Sequence, residues 1–168
     1  MGAIGDAIRS ARDYLSEHPN EAAYTDSTAI ATLDTGLRVT AVDPSGRSVR
    51  TDMPAGVGGE DSAPSAGWLL RAAVASCDAT LIAMRAEMLG VTLSSVEVTV
   101  DSESNDYGIL GLDASIPAGP FSMRARVKLS SPDADEGMLE EIVEWAAAHC
   151  PVHDAVKRAV PVGVEIVG

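Results

Sequence analysis

Residues 65–89 read SAGWLLRAAVASCDATLIAMRAEML, and between Ala66 and Met84 the only charged side chains are Arg71 and Asp78. Pro64 before the stretch suits a helix start and Gly90 after it suits a helix stop. A helix of this composition is apolar nearly all round, so it has to be buried on nearly all sides. A chain of 168 residues has trouble wrapping such a helix completely. A second copy would supply the missing cover, and a homodimer is expected from this helix alone.

Working outward, residues 93–102 and 121–129 alternate apolar and polar side chains, as half-buried strands do. Residues 103–118, rich in Gly, Asp and Pro, read as a loop between them. A second helix is expected from near Pro132, with Met138, Leu139, Ile142, Trp145 and Ala146 as its buried stripe. Pro151 ends it directly after Cys150. A short helix at 152–159 and a strand at 161–167 follow. On the other side lie a helix at 3–17 and β-branched runs at 27–33, 37–43 and 48–53. The turn Asp43-Pro44-Ser45-Gly46 makes the last two runs a hairpin. The glycine-rich loop 54–61 matches neither phosphate-binding fingerprint. Strands cluster rather than alternating with helices, which favours an α+β fold over a doubly wound sheet. One domain is expected over 1–168, with residues 1–20 an accessory N-terminal helix.

The net charge of −13 repels phosphate backbones and anionic lipid head groups, so nucleic acid is not an expected partner. The start, MGAIGDAIRS, lacks the basic and apolar regions of a secretory signal. No run of about 18 apolar residues is free of charge, so no membrane span is expected. The cytoplasm is the default compartment. Two cysteines in a reducing cytosol point to core, catalytic or metal-binding roles rather than a structural disulfide.

Cys77 falls on one helical face with Leu70, Val74, Leu81, Met84 and Met88. It reads either as a small buried hydrophobe or as a reactive thiol. An apolar seam disfavours a thiolate, so reactivity there requires a nearby cation. Cys150 sits in His149-Cys150-Pro151-Val152-His153, at a helix end that proline opens. It reads as a mobile, resolving thiol or as a core residue closing the last turn. With Cys77, the two histidines would complete a Cys2His2 set, but the spacing matches no common zinc module. Both histidines read instead as helix-end residues favoured by the macrodipole, and neither a metal nor a cofactor is expected. No Gly-x-Ser-x-Gly element supports a serine hydrolase.

The run Gly58-Gly59-Glu60-Asp61, Pro64, then Leu69-Leu70-Arg71-Ala72-Ala73-Val74-Ala75-Ser76-Cys77 resembles the signature of the OsmC/Ohr family. Cys150-Pro151-Val152 and the later Val160-Pro161-Val162 resemble its second cysteine motif. The resemblance spans residues 26–167. It implies an intertwined homodimer with central helices between sheets. It also implies two-cysteine reduction of organic hydroperoxides, with Cys77 attacking, Cys150 resolving and an external dithiol restoring both. Family members use an arginine from an early strand, for which Arg38 is the match, although Arg38 also reads as an ordinary edge-strand residue. They also use a glutamate near the start of the central helix. Its place falls near Gly67 or Trp68, neither of them acidic, and the resemblance assigns it to no residue here. An OsmC-fold binding protein for a small apolar ligand is therefore the alternative to the enzyme.

Overall fold

A computed structural model describes residues 2–168 of the chain. The elements run α1 (Ala3–Glu17), β1 (Ile30–Thr35), β2 (Arg38–Val42), β3 (Ser48–Thr51), α2 (Ala66–Leu89), β4 (Ser95–Glu103), α3 (Asp106–Ile109), β5 (Ser122–Ser130), α4 (Glu136–His149) and α5 (Pro151–Arg158). The strands form a three-stranded antiparallel sheet, β1-β2-β3, and an antiparallel pair, β4-β5. This is the expected α+β class. The chain divides into two compact units, one of Ala11–Ala72 and one of residues 2–10 with Ala73–Gly168.

In the first unit the β2–β3 hairpin forms where expected. Asp43 Oδ1 accepts hydrogen bonds from the N–H groups of Ser45 and Arg47 and so closes the turn. The loop after β3 folds back on itself. Gly58 has φ +90, a conformation that other residues rarely adopt, and Gly59 approaches Met53 so closely that a Cβ would lie 1.8 Å from the Met53 carbonyl oxygen. These two glycines let the loop wrap the buried Asp52 carboxylate. That carboxylate accepts from Met53 N–H, Glu60 N–H, Ser62 N–H and Ser62 Oγ.

The second unit holds the core. Ile82 and Ala86 of α2 meet Ile142 and Ala146 of α4. Val96 and Val98 of β4 with Val127 and Leu129 of β5 pack against them. The register pairs Val96 with Leu129 and Val98 with Val127, which gathers the apolar side chains on one face. On the other face Lys128 Nζ meets Glu97 at 2.8 Å. Arg85 of α2 fastens α4 by an ion pair with Glu141, and its guanidinium lies 5.2 Å from the ring centre of Trp145. Gly90, with φ +72, ends α2 as expected.

Several expectations need correction. Met138 is 40% exposed rather than part of the buried stripe of α4, and residues 106–109 of the expected loop form α3. The buried stripe of α2 is Val74, Asp78, Ile82 and Ala86, one step round the helix from the Cys77 seam. Within this single chain α2 is far from covered on all sides. Trp68, Leu70 and Leu89 are exposed, and by length and composition alone the helix would suffice to cross a membrane. The second helix starts at Glu136, not near Pro132, because Asp135 caps it by accepting from Met138 N–H at 2.9 Å. The last strand does not form. Residues 160–168 are irregular, with Ile166 fully exposed. A strand exists only where it has a hydrogen-bonded neighbour, and among the described residues none pairs with this segment.

Candidate active site

Two cysteines 73 positions apart in sequence meet in the second unit. Cys77 is half-buried, one residue before the inward-facing Asp78 of α2. Cys150 links α4 to α5 as the C-cap of one and the N-cap of the other, with extended backbone at φ −74 and ψ 113. Its side chain is 0% exposed. Pro151 cannot continue the α4 ladder but suits the first position of α5, which accounts for the break at Cys150. The Cys77 thiol and the Asp78 carboxylate both lie near the Cys150 thiol and act on its charge. Burial is the largest effect on that thiol. Opposed by the His153 N–H and reinforced by Cys77 and Asp78, it pushes the Cys150 pKa up to about 12.

Asp78 is only 4% exposed. Its Oδ1 lies 3.4 Å from His153 Nδ1, a contact of opposite charges when the imidazole is protonated. The alignment does not make a hydrogen bond, and both atoms are buried without a hydrogen-bond partner. The Cys150 Sγ accepts from His153 N–H at 3.4 Å. The ligating atoms of Asp78, Cys150 and His153 all lie within 4.8 Å of one another.

The two histidines thus part company. His149 ends α4 as expected, stacking on Trp145 with ring centres 4.1 Å apart and its Nδ1 2.8 Å from the Trp145 carbonyl oxygen. His153 lies in the first turn of α5, where the helix dipole disfavours a cation. Its place is set by Asp78 and Cys150, and the helix-end explanation fails for it. Beside His153 opens a cleft of about 360 Å³ lined by Val74, Val100, Phe121, Met123 and Val156, with Lys157 at its edge.

In the other unit Arg38 Nη1 donates to Glu60 Oε2 at 2.9 Å. Arg38 also lines a second cleft, where Asp34, Arg50 and Ser62 converge. Sequence reasoning missed two residues here. Glu60 lies ahead of the helix in sequence, and only the fold-back of the glycine loop brings it to Arg38. Asp78 carried a usable signal as the one acid in the apolar run, since a charge on a buried helix needs a partner inside.

The chain matches the model of the family described as OsmC-like protein over residues 59–165. Compared by sequence with curated proteins, it has no match. Among solved structures it is similar to an organic hydroperoxide resistance protein OsmC from Legionella pneumophila. That likeness has 20% identity and a TM-score of 0.59, and covers 80% of this chain and 91% of that one. An OsmC-like protein from Mycoplasma pneumoniae gives 16% identity and a TM-score of 0.63, covering 81% and 89%. The organic hydroperoxide resistance protein OhrB of Bacillus subtilis gives 16% identity and a TM-score of 0.53, covering 80% and 93%. With its fold shared by these structures and well over half of its length matched by the family model, the chain belongs to the OsmC-like protein family.

Proposed function

We propose that this protein is a thiol-dependent reductase of organic hydroperoxides. The observation that carries the reading is the placement of a half-buried Cys77 near a buried Cys150 at a helix break. Family membership and the paired thiols support a thiol-based redox role. The specific cycle is as follows. The Cys77 thiolate attacks the distal peroxide oxygen, the O–O bond breaks, and the alkoxide takes a proton and leaves as an alcohol. Cys77 is now a sulfenic acid. Cys150 loses its proton, its sulfur displaces the hydroxyl, and water and a Cys77–Cys150 disulfide result. An external dithiol reduces the disulfide and is itself oxidised to a disulfide. The apolar cleft beside His153 suits the organic part of such a substrate.

From the family resemblance, Arg38 is the group that favours the Cys77 thiolate. Glu60, which holds Arg38 by an ion pair, takes the part of the acidic residue that has no counterpart at Gly67 or Trp68. In the same reading the two units form one OsmC-like domain, two copies form the working homodimer, and the protein acts in the cytoplasm. Peroxide consumption with a dithiol reductant tests the activity. Cys150→Ser treated with one equivalent of hydroperoxide is expected to hold a sulfenic acid on Cys77, read by mass spectrometry after trapping. An unmodified Cys77 in that variant sinks the mechanism. The apolar cleft, which neither thiol lines, favours a second reading as a binding protein for a small apolar ligand. Ligand binding without peroxide turnover would select it.

A further inference from the structure

Asp78, Cys150 and His153 offer one oxygen, one sulfur and one nitrogen, with all three ligating atoms within 4.8 Å of one another. Asp78 and Cys150 are buried and His153 is partly buried. Asp78 Oδ1 and His153 Nδ1 also lack any hydrogen-bond partner. Unpaired buried polar atoms are rare in folded proteins, and two of them 3.4 Å apart beside a buried thiol need an explanation. A cation among the three would satisfy both at once.

We propose that these three side chains form a binding site for a thiophilic divalent cation of the zinc type. A thiolate and an imidazole select zinc-like ions over magnesium or calcium, which prefer all-oxygen surroundings. Zinc takes sulfur at about 2.3 Å and nitrogen or oxygen at about 2.0–2.2 Å. Seating it requires the three atoms to draw together slightly around a common centre. The break at Pro151 puts Cys150 and His153 where α5 can shift to allow this. Two anionic ligands, the Asp78 carboxylate and the Cys150 thiolate, balance the ion's charge, and the thiol proton is released on binding. Three protein ligands leave a fourth tetrahedral position open to water or to the nearby Cys77. The sequence had offered His149 as a ligand. The structure sends His149 to Trp145 and puts Asp78 in its stead.

The ion has a consequence that rests on the thiol-redox reading. Bonding to zinc ties up the sulfur lone pairs and lowers its nucleophilicity towards a sulfenic acid on Cys77, so the loaded protein forms the disulfide more slowly. Zinc release then becomes the step that restores the resolving thiol.

The test is anaerobic titration of the reduced, metal-stripped full chain with Co2+, followed by displacement with Zn2+. One Co2+ per chain is expected, with visible bands of a tetrahedral site and a near-ultraviolet thiolate-to-cobalt band. Cys150→Ser should abolish the thiolate band, and Cys77→Ser should keep it. His153→Ala and Asp78→Asn should each weaken binding by about tenfold or more. Absence of any tetrahedral cobalt spectrum in the wild type overturns the proposal. So does binding that both Cys150→Ser and His153→Ala leave unchanged, because the ion would then sit elsewhere. The redox arm is separate. Cobalt binding in a protein that never oxidises with hydroperoxide removes the enzyme reading and leaves the site. Peroxide-driven disulfide formation in a protein with a blank cobalt titration does the reverse.

Discussion

Four donors converge on the Asp52 carboxylate, and three of them, the Glu60 and Ser62 N–H groups and Ser62 Oγ, belong to the loop that carries the Arg38 partner. Ser62 Oγ, at 2.7 Å, has the largest effect on its charge. With the backbone N–H groups of Ser62, Met53 and Glu60 it holds the carboxyl below its ordinary range, against the opposing effect of burial. Asp52 is therefore a positioning residue for Glu60. A carboxyl with a lowered folded pKa contributes stability that is present above its unfolded pKa and lost as pH falls through the folded one. Asp52→Asn should thus lower the thermal midpoint at pH 7. Its difference from wild type should shrink once pH falls below about 4, the unfolded carboxylate value. A gap that stays constant from pH 7 to strongly acid solution would show that the charge is irrelevant. Arg38 gives a second prediction at this scale. On the family reading, in a Cys150→Ser background, Arg38→Ala should slow alkylation of Cys77 at neutral pH by about tenfold. An unchanged rate would leave Arg38 an ordinary strand residue. Both thiols and Arg38 were legible as candidates from motif order. Asp52 and Glu60 were not, because each gains its importance from a partner that only chain folding delivers, while Asp78 showed only as the one acid in the apolar run.

At the level of elements, the helices and strands that carry their own periodicity were readable to within a few residues. The apolar alternation of β4 and β5 placed Val96, Val98, Val127 and Leu129 on the core face, and the turn residues placed the β2–β3 hairpin. The phase of α2 was not readable. When nearly every residue is apolar, periodicity carries no information about which face turns inward. The inward face in fact includes an aspartate. The core formed by α2 and α4 gives a direct stability test. Ile142 is 0% exposed, among Ile82, Ala86 and Ala146. Ile142→Ala leaves a cavity where helices and sheet meet and should cost about 2–5 kcal/mol, measured by urea unfolding of the reduced protein. A loss well under 1 kcal/mol would mean that the α2–α4 contact can collapse around the gap, contrary to a tightly packed junction.

For the molecule as a whole, two sets of apolar side chains face water in the single chain, and the proposed homodimer would cover them. Trp68, Leu70 and Leu89 of α2 form one set, and Val160, Val162, Val164, Ile166 and Val167 of the last segment form the other. The second set alternates as a strand does yet has no strand beside it, so its backbone groups are left to water and its side chains gain nothing from burial. Exposed apolar surface of this extent marks an interaction surface, and an unpaired strand is completed most directly by adding to the edge of another sheet. A second copy carries the same two sets, and isologous pairing would cover both. Charge works against it. Each copy carries −13, so association should strengthen as salt screens the repulsion over a Debye length of about 8 Å. Sedimentation at micromolar concentration is expected to show a dimer that tightens between low and physiological salt. Deletion of residues 160–168 should shift it towards monomer while the second unit, whose core lies in α2, α4, β4 and β5, stays folded by circular dichroism. A full-length chain that sediments as a monomer at every salt concentration would overturn the pairing, and the exposed segment would then need another partner.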